Sequence, residues 1–111
     1  MILRTFRTQA NPSTIPAYER FEETEGIPMV RGMKGCVAAG FGRVPDSEGR
    51  YLFFSIWENA KAIEEARATP LWKTTVAKLE ASKFTIGDAV VEQVELSAYG
   101  AVAMESTPSR R

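Results

Sequence analysis

The run RYLFFSIW, Arg50 to Trp57, is strand-length and carries large side chains at both parities. In an extended backbone successive side chains point to opposite faces, so Tyr51, Phe53, Ser55 and Trp57 share one side and Leu52, Phe54 and Ile56 the other. The first set is mixed aromatic and hydroxyl, and the second is purely apolar. A sheet built round this strand needs cover on both faces, and one layer of helices supplies only one.

The rest of the chain supplies the neighbours. Alternation of Ile2, Arg4, Phe6 and Thr8 with Leu3, Thr5, Arg7 and Gln9 predicts a first strand. Ser13 or Thr14 as a cap, Pro16 in the first turn, and Ile15, Tyr18, Phe21 and Glu22 at helical spacing predict a helix that stops near Gly26. Ile27-Pro28 and Gly32 break that pattern before a second strand, Lys34 to Arg43, whose small residues allow close approach of a backbone or ligand. The turn formers from Val44 to Gly49 join it to Arg50–Trp57 as an antiparallel hairpin. Asn59 can cap a short helix, Ala60 to about Ala68. Thr69 and a first-position Pro70 open another to about Ser82, with Leu71, Trp72, Thr75, Val76 and Leu79 on one face. Gly87-Asp88 ends that region, and Ala89 to Leu96 reads as the last strand.

The order β-α-β-β-α-β is that of an α+β, ferredoxin-like fold, in which a four-stranded antiparallel sheet carries both helices on one face. The other face is too apolar to leave in water, and a self-complementary copy is the simplest cover, so a homodimer is expected.

Size and charge narrow the function. A chain of 111 residues makes one domain. Its 14 basic and 14 acidic residues leave no cationic patch for a phosphate backbone, so nucleic acid is not expected as a partner. Cys36 is the only cysteine, no apolar run reaches the roughly 18 residues of a membrane span, and the amino end lacks a secretion pattern. No membrane partner and a cytoplasmic location are the resulting expectations. The sequence contains no histidine, which removes Ser-His and Cys-His nucleophile pairs, HExxH zinc sites and histidine-ligated haem, and no metal site is expected.

Ile2-Leu3-Arg4, Met33-Lys34-Gly35, Tyr51 to Ile56 ending in Trp57-Glu58, and Thr69-Pro70-Leu71-Trp72-Lys73 together resemble the antibiotic biosynthesis monooxygenase domain family. The resemblance spans residues 1–97; the Ala, Ser, Thr, Pro and Arg content of 98–111 predicts a flexible tail. It implies a dimeric α+β barrel of two sheets, with Tyr51, Phe53, Ser55 and Trp57 facing a pocket under the helices and Leu52, Phe54 and Ile56 at the dimer contact. The family includes cofactor-free oxygenases of polycyclic phenols and haem-degrading enzymes. Of the three haem-degrading features only the tryptophan matches, at Trp57. Thr5 stands in place of the asparagine and Arg67 in place of the histidine, and a guanidinium cannot ligate iron.

The expected activity is thus a cofactor-independent monooxygenase acting on a small aromatic or quinol-type ligand, with a non-catalytic dimeric small-molecule-binding or accessory protein as the alternative. Oxygenation without metal or flavin needs an electron-rich anion in a dry cavity lined with donors. Trp57, Arg67 and Tyr18 are the candidate catalytic groups, and Thr5, Phe21, Phe53, Ser55 and Trp72 the candidate substrate contacts. Each has a plainer reading. Trp57 and Tyr18 fit equally as core, Trp72 as core or dimer packing, and Arg67, Glu22-Glu23 and Glu64-Glu65 as solvated helix charges.

Overall fold

The structure, a computed structural model, describes residues 1–101; residues 102–111 of the expected tail lie outside the described residues. Strands β1 (Ile2–Ala10), β2 (Cys36–Arg43), β3 (Arg50–Trp57) and β4 (Thr85–Glu95) form one antiparallel sheet in the order β2-β3-β1-β4. Helices α1 (Ile15–Phe21), α2 (Ile27–Arg31), α3 (Ala60–Arg67) and α4 (Pro70–Ser82) make the connections. This is the expected ferredoxin-like α+β arrangement. Among the described residues no helix is long and apolar enough to cross a membrane.

Register decides which residues meet the helices. Trp57 lies opposite Ile2 and Cys36, Ser55 opposite Arg4 and Ala39, and Phe53 opposite Phe6 and Phe41. On that face Trp57, with Met29, Val30, Ile63 and Ala66, forms one buried cluster, and Ala10, Tyr18 and Tyr51 form a second. The Tyr18 ring meets the stacked rings of Phe41 and Tyr51 edge-on, and its hydroxyl shares a 2.7 Å hydrogen bond with Thr8 Oγ1. Leu52, Phe54 and Ile56 lie on the opposite face, only partly covered.

Local signals worked at most boundaries. Asn59 Oδ1 accepts from Ala62 N at 2.9 Å, and Thr69 Oγ1 accepts from Trp72 N at 3.3 Å, each satisfying a helix-end amide that has no partner within its helix. Other boundaries moved. Asn11, not Ser13 or Thr14, caps the entry turn, through Ser13 N at 3.2 Å. The last strand begins at Thr85 rather than Ala89, because a bulge opposite Arg7–Gln9 absorbs Gly87 and Asp88 into its length. Leu71, expected on the inner face of α4, is 57% exposed, and that face is carried by Trp72, Thr75 and Leu79.

The larger correction concerns the first helix, which does not stop near Gly26. It runs on through a π-helical turn, Glu22–Gly26, into α2. Pro28 lacks the N–H that would close onto Thr24, and its ring crowds that carbonyl. Widening the turn, so that Ile27 N–H reaches back five residues to Glu22 O, accommodates the ring without ending the helix.

Gly35 joins this layer to β3. Its φ of +86° suits glycine, its carbonyl accepts from Glu58 N at 2.9 Å, and a Cβ there would lie 2.5 Å from Ala62 Cβ. Gly35→Ala should therefore lower stability by about 2 kcal/mol through backbone strain plus displacement of α3. A urea midpoint unchanged from wild type would refute that account.

Candidate functional site

Helices and sheet do not close completely. A cavity of about 190 Å³ remains between them, open to solvent at one side. Phe6 and Phe53 line it from the sheet, and Phe21, Met29, Trp72 and Leu79 from the helices. Five ionisable or hydroxylic residues line this largely apolar space: Arg4 from β1, Ser55 from β3, Glu22 from the π turn, Arg67 from the end of α3, and Thr75 from α4, whose hydroxyl is spent on Leu71 O at 2.8 Å.

Of the residues expected from sequence, Arg67, Phe21, Phe53, Ser55 and Trp72 are brought together here, and Trp57, Tyr18 and Thr5 are not. Trp57 is fully buried behind the cavity, packed by Ile63 and Ala66 and by the tilted ring of Trp72 at 6.2 Å. Its one donor is already used: Nε1–H donates to Ser55 Oγ at 2.8 Å. Residues two apart on a strand share a face, so the long indole folds back along β3 and reaches the serine rather than a guest. Tyr18 sits in the second core cluster, away from the cavity, with its hydroxyl engaged by Thr8, and burial pushes its phenol far up so that it stays protonated. Thr5 pairs across the sheet with Phe54 and Glu92, on the face turned from the helices, where its buried Oγ1 has no partner.

Arg4 and Glu22 were missed. Arg4 shares the parity of Ile2, Phe6 and Thr8, so an arginine on the apolar side of β1 was visible in the alternation. It donates to Gln93 Oε1 at 3.2 Å, and burial, with the nearby Arg67 guanidinium, depresses its pKa. Among the described residues the ion pairs are Arg7–Glu92 and Lys78–Glu25, so neither cavity arginine is matched by a carboxylate.

Glu22, read as a solvated charge, is only 3% exposed. Its carboxyl lies directly against the bare Cα of Gly26, where a Cβ would sit 1.8 Å from Oε1. A side chain at 26 would expel it. Burial alone pushes the Glu22 pKa up to about 7.

Fold and cleft together place the chain among small ferredoxin-like α+β proteins with a hollow between sheet and helices. The family described as antibiotic biosynthesis monooxygenase matches residues 1–78, and the chain belongs to that family. Among solved structures, an antibiotic biosynthesis monooxygenase superposes with a TM-score of 0.75 at 17% identity, over 88% of this chain and 100% of the other. Rv0793 from Mycobacterium tuberculosis gives 0.76 at 16% identity, over 90% and 98%. SnoaB, a cofactor-independent oxygenase from Streptomyces nogalater, gives 0.68 at 15%, over 88% and 94%. These likenesses speak for the fold. Comparison with curated protein sequences gave no match.

The buried carboxyl has a consequence for stability. Its pKa is higher folded than unfolded, so the native state holds the extra proton between about 4.5 and about 7. Its contribution is intact below that window and lost as pH rises through it. Relative to Glu22→Gln, wild type should lose on the order of 3 kcal/mol between about pH 4 and about pH 8. Parallel urea midpoints for the two proteins across that range would refute the burial.

Proposed function

We propose that this chain is a cofactor-independent monooxygenase of a small hydroxylated aromatic compound, held in the cavity between helices and sheet. The supporting observation is the make-up of that space: aromatic walls, two unmatched guanidinium groups and one oriented hydroxyl. Because an indole N–H can only donate, Ser55 Oγ is the acceptor in its bond to Trp57, which leaves the serine O–H to donate to a guest. Arg67 stands exposed at the mouth, with Arg4 further in. Such donors stabilise an oxyanion, and the apolar walls keep water from competing.

Size favours one or two fused rings. An apolar cavity of about 150 Å³ takes a benzene ring, and this one is about 190 Å³. For α-naphthol, the bound anion passes one electron to O₂, and the resulting superoxide joins the ring carbon para to the oxygen. Loss of water from the peroxide gives the para-naphthoquinone, with one oxygen atom kept and the other leaving as water. In these steps the protein binds, orients, stabilises the anion and excludes solvent. Trp57 is a positioning residue acting through Ser55.

A second copy of the chain completes the assembly in this reading. Val90 and Val94 of β4 are 56% and 49% exposed, and they lie on the sheet face that also bears Leu52, Phe54 and Ile56. A copy laid on that face would cover it and the unpartnered Thr5 hydroxyl.

Oxygen uptake with α-naphthol tests the activity. Wild type should consume oxygen and release the quinone, and Arg67→Gln and Ser55→Ala should each lower kcat/KM by about 10- to 100-fold. Binding without uptake would replace the oxygenase by a small-molecule-binding protein. Sedimentation should give twice the 12.3 kDa chain mass, reverting to one in Val90→Glu/Val94→Glu; a monomeric wild type rejects the pairing.

A further inference from the structure

Among the described residues Glu22 is the carboxylate that combines burial with a place on the cavity wall. Its helix neighbours Glu19, Glu23 and Glu25 are exposed or half-exposed. Glu19 accepts from the Tyr51 hydroxyl, and Glu25 pairs with Lys78 at 2.9 Å. Glu22 makes no ion pair, so the carboxyl has no structural partner that a carboxamide could not serve better. Its place is nonetheless specified, since the π turn carries it, Gly26 leaves it room, and Phe53 closes beside it. A π turn inside a helix often marks a functional position.

We propose that Glu22 is the general base of the site, taking the hydroxyl proton of an aromatic alcohol bound in the cavity, whose oxyanion is then held by Arg67, Arg4 and Ser55. This rests on the aromatic-oxygenation reading given above. The guest O–H bond breaks, its electron pair stays on the guest oxygen, and the proton goes to Glu22. After oxygen has added to the ring, Glu22 returns that proton to the peroxide. It then takes the ring C–H proton as the O–O bond breaks, and passes it to the departing hydroxide, which leaves as water. The carboxylate is regenerated, and the two protons of the departing water are the guest's hydroxyl and ring protons.

The charged surroundings suit a base. Arg4 from β1 and Arg67 from α3 line the same cavity, Tyr18 one turn earlier is held neutral by burial, and the Glu25–Lys78 pair ties the helix to α4. Without a cation of its own, the carboxyl titrates near neutrality and is basic enough to accept a proton there. The arginines meanwhile lower the pKa of a bound hydroxyl by about 1 to 3 units, which narrows the gap that the transfer must cross.

The test separates base from oxygenase by working first without oxygen. α-Naphthol is titrated anaerobically into wild type at a pH where the free compound is neutral. The naphtholate absorption band should appear with wild type and be absent with Glu22→Gln. In wild type a carboxylic C=O infrared band should rise with it, a readout that does not depend on the variant folding. An equal naphtholate band in Glu22→Gln, no band in wild type, or no infrared change overturns the assignment. On admitting air, Glu22→Gln should show kcat reduced about 100-fold or more, and the rise of kcat/KM through about pH 7 should vanish. Glu22→Asp, which keeps the carboxyl, should recover part of the rate, and an unchanged pH profile in Glu22→Gln overturns the assignment. Anaerobic naphtholate formation with no oxygen uptake would leave Glu22 as the base and sink only the oxygenase.

Discussion

Keeping a carboxyl group in a small apolar interior is the constraint round which the helical layer is arranged. Glu22 can stay there because three features agree along one stretch of chain. Pro28 forbids a regular turn, the π turn makes room, and Gly26 has no side chain where the carboxyl lies. With an alanine at 26, the carboxyl would have to leave for solvent or the helix would have to shift from the sheet. Burying such a group without a partner cation is costly, and among the described residues no cation pairs with it.

The sheet answers from below with a second arrangement of the same kind. Trp57 is the largest side chain of the core, and a core tryptophan must place its N–H. By placing it on Ser55 it fixes the rotamer of the one hydroxyl on the cavity floor and determines which way that hydroxyl donates. The indole therefore shapes the site without touching its contents. Removing the ring would open a void against Ile63 and Ala66 as well as freeing Ser55, so structural and positioning effects of Trp57 are linked by geometry.

The fold was legible in the sequence because its signals are local and redundant. Period-two alternation in β1 and β3, the Asn59 and Thr69 caps and the Val44–Gly49 turn all agree with the final architecture. The candidate site was half legible. Arg67, Phe21, Phe53, Ser55 and Trp72 follow from strand parity and helical spacing combined with the family resemblance. Trp57 and Tyr18 fell outside the cavity because parity gives the face a residue points to, and not how far its ring reaches or which neighbour takes its hydrogen bond. Glu22 was passed over because burial of an acid is a tertiary fact. Ile27-Pro28 read as a helix stop, whereas the chain used a wide turn to continue. Had the helix been read through Pro28, Glu22, Gly26 and Met29 would have aligned on the inner side.

The balance of charge in the cavity links these parts. The two arginines bring positive charge to an apolar space, and Glu22, when ionised, returns one negative charge without pairing to either. A neutral hydroxylated guest that gives its proton to Glu22 leaves the total unchanged: the negative charge moves from the carboxyl to the guest oxygen, toward the guanidinium groups. Because Glu22 is paired with neither arginine, the proposed transfer would be favoured by the guanidinium charges rather than opposed by a broken ion pair. An ion pair between them would lower the carboxyl pKa, occupy the cations and leave nothing for an oxyanion to gain. A site with the same residues in direct contact would be more stable and less able to ionise a guest, which is the usual exchange between stability and activity in a preorganised cavity.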